Sequence, residues 1–387
     1  MIELTTHESI RAIREDEWDS LLRDDDPPFL SWAFLDVLEQ TGCVGADRGW
    51  YPCHITLKRQ GKLLAAAPAY VKENSEGEFV FDHSWAEFTA TRLRIPYYPK
   101  LVLAVPFTPA SGRRVLVRAR EDEREVHQAL AAGIVQLSDK LDVSGAHVLF
   151  PTSEQAVALE AEGLVHRHGI QYHWRNQGYA TFEDFIERFG SKKRNQIRRE
   201  IRGPSEQGLV LESLGGRDLT PPLIDAVYDF YRSTVDKHFW GRQYLNRAFF
   251  LEIARRLPDA TFVVLAREEG SGVPIAGAFN VLGKKALYGR YWGAREDRPF
   301  LHFNVCYYHG IKECIARGLS LFEPGAGGEH KVARGFEPAI THSIHHLADG
   351  RLDRVVRDFV GRERRAIQQH LAEYAKSPIL KTTAFVE

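Results

Sequence analysis

Cysteine is scarce in this sequence: 387 residues hold four, Cys43, Cys53, Cys306 and Cys314, with no CxxC pair among them. That scatter excludes a zinc ribbon and a disulfide scaffold, so the four are expected as buried thiols. Long apolar runs are missing too. No stretch reaches the roughly 18 apolar residues that a membrane-spanning helix needs. The opening segment carries Glu, Asp and Arg where a secretory signal needs an apolar run, so a cytoplasmic location is expected. Nor is there an excess of charge of one sign. The net charge is −1 at pH 7, so a polyanion can be held only by a local patch. A GxSxG elbow, a Walker A loop and low-complexity tracts are all absent.

What remains is a globular composition, 44% hydrophobic and 27% charged, on a chain long enough for two domains. Two stretches read alike. HITLKRQGKLLAAAPAYVKENSEGEFVFDHSWA (54–86) and FVVLAREEGSGVPIAGAFNVLGKKALYGRYWGA (262–294) each suggest three strands separated by polar turns, and each ends on a Trp, Trp85 or Trp292. After the first come KLVLAVPF (100–107), a helix with Val126, Leu130, Ile134, Leu137 and Leu141 on one face, and a strand AHVLF (146–150). After the second come a helix over 303–318, closed by Gly318, and a strand SLFE (320–323). Meander, helix and strand, twice over, predict an α/β (α+β) chain. Its mixed, mostly antiparallel sheets are flanked by helices, in two related halves, 1–175 and 176–387. Ser31 is read as an N-cap and Pro222 as a first-turn proline. The last helix, 351–374, is amphipathic through Leu352, Val355, Val356, Phe359, Ile367 and Leu371.

Three segments combine aromatics, charges and glycines beyond what a core needs. In 82–116, Trp85 ends the first meander, Tyr97, Tyr98 and Lys100 stand at a strand entrance with Pro99, which cannot donate to a ladder, and Arg113 follows in a proline-bracketed loop. In SKKRNQIRREIR (191–202) six cations, Lys192, Lys193, Arg194, Arg198, Arg199 and Arg202, accompany one acid. A capping box from Thr181 to Asp184 starts a helix there, with Phe185, Phe189, Ile197 and Ile201 on its buried face. Arg194, Arg198 and Arg202 then form a stripe whose mutual repulsion an anion such as a nucleic-acid phosphate would relieve; a solvated face is the plainer reading. In 287–338, strand alternation places Tyr288, Arg290 and Trp292 on one face. Gly325, Gly327 and Gly328 precede Glu329, His330 and Lys331, with Arg334 close behind. Glu329 and His330 suit proton transfer, and Lys331 and Arg334 suit negative charge. His302 and His309 lie seven apart on a helix and can face one cleft, though packing is the plainer reading. His342, His345 and His346 alternate along THSIHHL, so they do not all share a face, and no metal is expected.

At these segments the sequence resembles the FemAB-like family of peptidoglycan biosynthesis/recognition proteins, within the wider GNAT acetyltransferase clan. The residues that carry the resemblance are His83-Ser84-Trp85, Tyr97 to Lys100, Pro106 to Thr108 with Arg113, Tyr288 to Gly293, Leu301 to Phe303, Cys306 to Tyr308, and Gly325 through Phe336. It implies tandem GNAT-like folds. In such folds the loop holding Arg113 offers backbone N–H groups to a pyrophosphate, but Gly112 is its only glycine. Better-known relatives pass an amino acid from aminoacyl-tRNA to an amine on a peptidoglycan precursor, and contact the tRNA through a basic region placed like 191–202. No coiled-coil insertion for tRNA is present, and the YYPK and GEHK blocks are this subfamily's own. The expected activity is therefore acyl or aminoacyl transfer to an amine without a covalent enzyme intermediate. Glu329 or His330 would be the base, with Arg290, Lys331, Arg334 and His302 around the substrate and Trp85, Tyr97, Tyr98, Lys100 and Arg113 as a recognition wall. The donor is aminoacyl-tRNA or, alternatively, acyl-CoA or an acyl carrier, with no tightly bound cofactor. A third reading is a non-catalytic module that recognises a cell-wall precursor.

Overall fold

A computed structural model of the chain describes residues 2–235 and 242–381; the side chain of Glu329 also lies outside the description. In chain order the strands are β1 (Glu3–His7), β2 (Trp50–Pro52), β3 (His54–Arg59), β4 (Lys62–Ala67), β5 (Ala69–Lys72), β6 (Lys100–Leu103), β7 (Leu116–Val117), β8 (Gly145–Leu149), β9 (Val165–Arg175), β10 (Leu209–Gly215), β11 (Thr261–Glu268), β12 (Pro274–Leu282), β13 (Ala286–Ala294), β14 (Leu321–Glu323) and β15 (Glu337–Leu347). The chain divides into two compact units. One is Met1–Ile170 with Ile340–Leu371, the other Gln171–Ala339 with Ala372–Glu387.

In the first unit one sheet has the order β1-β3-β4-β7 and a second the order β2-β5-β6-β8-β15. Strands β6 and β8 run parallel, with Val102 opposite His147, and the helix Glu123–Lys140 connects them. The apolar face foreseen for that helix is buried at Val126, Leu130, Ile134 and Leu137, each side chain contributing about 1.5–3 kcal/mol. Leu141 is instead the C-cap and is exposed. In the second unit the order is β10-β11-β12-β13-β14 followed by the end of β9 from Gln171 to Arg175, the rest of β9 belonging to the first unit. Here β13 and β14 are the parallel pair, connected through the helix His309–Ala316. An antiparallel pair feeding a parallel crossover thus occurs once in each unit, as the sequence repeat implied.

The match between the repeats is incomplete in the first. Its third strand is a helix, His83–Phe88, that runs into a π-turn, Thr89–Leu93. HSWAEF has no alternation to hold a strand, and the Asp82 carbonyl accepts from the Trp85 and Ala86 N–H groups to start a helical turn. Pro68 separates β4 from β5, and the two strands enter different sheets. The expected halves, 1–175 and 176–387, need the same kind of correction. Residues 340–371 complete the first unit because β15 pairs with β8 from Ser343↔Leu149 to Leu347↔Gly145. The C-terminal helix, Gly350–Lys376, also packs Leu352, Val356 and Val360 against Trp85 and Tyr97. Val355, expected on that face, is exposed.

Local signals are otherwise well met. Ser31 caps its helix by accepting from the Phe34 N–H, and Thr181 with Asp184 forms the capping box. The helix it opens stops at Glu187, and a second begins at Ser191 after Gly190, whose extended backbone breaks the expected single rod. Among the described residues no helix is long and apolar enough to cross a membrane.

Candidate functional site

The second unit opens where its parallel pair comes apart. The register of β13 with β14 ends at Tyr288↔Glu323; β13 runs on to Ala294 while β14 gives way to Pro324 and the glycine loop. On the other side of β13 the register with β12 slips. Phe279 lies opposite Tyr291 but Asn280 lies opposite Gly289, so Arg290 is an extra residue. Such a bulge bends the strand and re-aims side chains. It also breaks the alternation expected for Tyr288, Arg290 and Trp292. Tyr288 is buried opposite Val281, whereas Trp292 lies opposite Ala278, on the other face. A cavity of about 340 Å³ opens at this place, with Asn280, Arg290, Trp292, His302, Tyr307 and His330 in its wall.

The cavity gathers imidazoles that burial keeps neutral. His302 stands 4.4 Å from Trp292 and 5.9 Å from His330, ring centre to ring centre. Desolvation, helped by His330, Arg334 and Lys331, lowers it to about 4. The same cause lowers His330, whose Nε2 lies 2.9 Å from the Tyr307 hydroxyl. Burial pushes Tyr307 far up, so it stays a phenol that can donate to His330. Cys306, the half-buried cysteine in the wall, has its thiol pushed well up by burial and is no nucleophile. His309 does not join the cavity. The π-turn Asn304–Tyr308 adds a residue to the helix and turns it to Ser213, 2.7 Å away.

The loop below is held from underneath. Gly325, Gly327 and Gly328 have φ of 88°, 71° and 88°, the left-handed region that glycine enters without strain. Lys331, 3% exposed, donates to the Gly325 carbonyl at 2.7 Å. Desolvation lowers its ammonium to about 8, so it still carries its proton at neutral pH. Arg334 is buried over the Phe303 ring at 3.3 Å. It donates to the His330 carbonyl and pairs with Glu200 at 3.2 Å. Glu200 also accepts from Tyr308 and Gln196. Arg334 is therefore a brace for the loop rather than an anion anchor. Glu200 escaped the sequence reading, its one signal being its place as the single acid in a run of cations; Tyr307 and Tyr308 stood there only as carriers of the family resemblance.

The expected recognition wall of the first unit is closed. Lys100 is fully buried and donates to Ser75 and Glu78, both at 2.9 Å, and to Asp82. Tyr97 donates to Asp82 at 2.7 Å, and Tyr98 bonds Ser75 at 2.8 Å. Trp85 is buried against His345 and beneath the Arg167 guanidinium. Arg113, expected to meet a ligand anion, is held by Asp26 and the Leu21 carbonyl. These contacts turn the Lys100 ammonium and the Arg113 guanidinium to carboxylates of the protein itself. A larger hollow of about 670 Å³ in this unit has Leu4, Leu57, Gly133 and Leu137 in its wall, with no His, Tyr or Cys reaching it.

The basic helix, Ser191–Glu206, buries Ile197, Glu200, Gly203 and Pro204. Its stripe is partly neutralised. Arg198 pairs with Glu183 and Arg202 with Glu206 at 3.6 Å. Arg199 lies over the Phe300 ring and Lys193 bonds Gln196. Lys192, Arg199 and Arg202 remain exposed, and Arg194 is half-buried.

Comparison with proteins of curated function gives no match. Among solved structures, FemX is similar at 11% identity and a TM-score of 0.55, covering 92% of this chain and all of its own. The C-terminal domain of a candidate lysylphosphatidylglycerol synthetase from Agrobacterium fabrum is similar at 10% identity and a TM-score of 0.53, covering 87% of this chain and 91% of its own. A tandem GNAT protein of clavulanic acid biosynthesis aligns at 12% identity over 90% of this chain and 99% of its own, with a TM-score of 0.47. At such identities the likeness to FemX and to the synthetase domain concerns the fold alone, an architecture of mixed sheets flanked by helices. The family model for FemAB-like peptidoglycan biosynthesis/recognition matches residues 9–381, nearly the whole length, and the chain belongs to that family.

Proposed function

We propose that the second unit transfers an acyl or aminoacyl group to an amine by direct attack. One observation carries this reading: the bulge at Arg290 lies where β13 parts from β14, at a cavity walled by neutral imidazoles. An ester or thioester carbonyl seated there would turn its oxygen toward backbone N–H groups of β13 beyond its parting from β14. Losing one such donor typically costs about 10²–10³ in rate. The amine attacks the carbonyl carbon and a tetrahedral oxyanion forms. The Tyr307–His330 couple takes up the proton the amine releases, and the alcohol or thiol departs with a proton as the amide forms. His330 is the base of this scheme because it is neutral at pH 7 and lines the cavity. Arg290 and Lys331 place positive charge in the wall for the donor's anionic part. Both reactants held together supply the proximity term.

A second reading concerns the donor. Aminoacyl-tRNA is favoured over a coenzyme A or carrier thioester by the exposed cations Lys192, Arg199 and Arg202 on one short helix. The acceptor, in keeping with the family, is an amine on a peptidoglycan precursor, and the cytoplasm is where such a donor and precursor meet.

The test offers the purified chain an amine-bearing precursor together with aminoacyl-tRNA, acyl-CoA or an acyl carrier, and follows label into the amide. Turnover is expected with one donor class, and His330→Asn should lower it about 10²–10⁴-fold. Precursor binding that survives His330→Asn, without turnover from any donor, would make the protein a recognition module. Silence in both assays sinks the reading.

A further inference from the structure

A second constellation of histidines lies in the first unit and includes none of the groups that the proposed transfer uses. His166 and His168 sit two apart on β9, so alternation puts both on the same face of the strand. His342 lies on β15, the hydrogen-bonded neighbour of β9. One ring nitrogen of each falls within 4.8 Å of the other two, and His166 Nε2 is 2.9 Å from His342 Nδ1. Nitrogens about 2.0–2.1 Å from a tetrahedral ion stand roughly 3.3 Å apart, so this spacing already brackets what a metal needs.

The surroundings match in two further respects. His166 Nδ1 bonds the Glu160 carboxylate at 2.6 Å, which fixes the ring and leaves Nε2 turned to the cluster. A carboxylate behind a metal-binding imidazole is the usual way such a ring is oriented. Glu160 is itself held by Arg364, which also reaches the His166 carbonyl. The second respect is a vacancy in the bonding. His168 Nδ1 is withdrawn from water and finds no hydrogen-bond partner among the described residues, a costly state for a buried polar atom unless a ligand satisfies it. His168 and His342 are only half-buried, so an ion has a way in.

We propose that His166, His168 and His342 bind one transition-metal ion of the zinc class, with Glu160 as positioning residue and a fourth place left to water or an added ligand. Three imidazoles and an open position suit zinc, cobalt, nickel or copper, and not magnesium or calcium, which take oxygen ligands. The ion would tie β9 to β15 independently of the transfer chemistry.

The test uses the full chain without a histidine tag, stripped with chelator and titrated with Co²⁺ as the spectroscopic stand-in. One equivalent is expected, with the visible ligand-field bands of a tetrahedral site, competed away by Zn²⁺ and untouched by Mg²⁺. His168→Gln and His342→Asn should each abolish stoichiometric binding, and Glu160→Gln should weaken it about 10–100-fold. Circular dichroism checks that each variant is folded, and if one histidine variant fails to fold, the other decides. Absence of stoichiometric binding to the wild-type chain overturns the proposal. So does binding that persists in the folded histidine variants.

Discussion

Lys100 in the first unit and Lys331 in the second are both withdrawn from water, 0% and 3% exposed, yet their surroundings differ in kind. Lys100 meets two carboxylates and a hydroxyl, and those partners raise its pKa despite complete burial. Lys331 meets loop carbonyls instead, and burial lowers it to about 8. One cation is compensated and closed in; the other is held by dipoles beside a cavity. Full compensation marks a structural brace, whereas a buried charge left to dipoles next to open space marks a place where a ligand can complete the balance.

The contrast can be broken most severely at Lys100. Lys100→Met leaves Glu78 and Asp82 buried together without their counter-ion, and removing one partner of such a pair costs about 3–5 kcal/mol. Urea unfolding should register that loss, and a change under about 1 kcal/mol would show that the cluster is no brace. His330→Asn is the counterpart, expected to spare stability while removing turnover. Glu200→Gln is intermediate. It strips the charge from the partner of Arg334 and Tyr308, and should cost about 1–3 kcal/mol while loosening the loop that carries His330. Unchanged stability together with unchanged turnover would refute its bracing role. The smallest effect is a matter of pH. His330 must be neutral to accept a proton, and its lowered pKa puts the acid limb of the rate below the usual 6.5. Lys331 must be charged, so the rate should fall as pH rises through about 8. Lys331→Arg stays protonated there and should move only the alkaline limb upward; an alkaline limb that stays in place assigns that limb to another group.

Sequence and structure part company along the same line. Features set by neighbours in the chain were readable: the helix Glu123–Lys140 from its three-and-four spacing, the capping box at Thr181, the meander β11-β12-β13, and the glycine loop before Lys331. Features set by partners far away were not. A carboxylate inside SKKRNQIRREIR reads as solvated until Tyr308 and Arg334 close on it from more than a hundred residues away. The bulge at Arg290 is invisible because register belongs to a pair of strands and not to either one. The same reasoning explains why Lys100 looked like a ligand group: YYPK shows the cation, while Ser75, Glu78 and Asp82 stand 18 to 25 residues before it.

One feature of the first unit also has a bearing on time. Strand β8 finds its sheet partner in β15, and His147 meets His345 across 198 residues of chain. On the ribosome, β8 would leave the exit tunnel long before the strand that covers it has been translated. Until then its edge is a bare row of donors and acceptors, open to mispairing with any extended segment nearby. Completion of the first unit's core is thereby deferred until β15 has been translated.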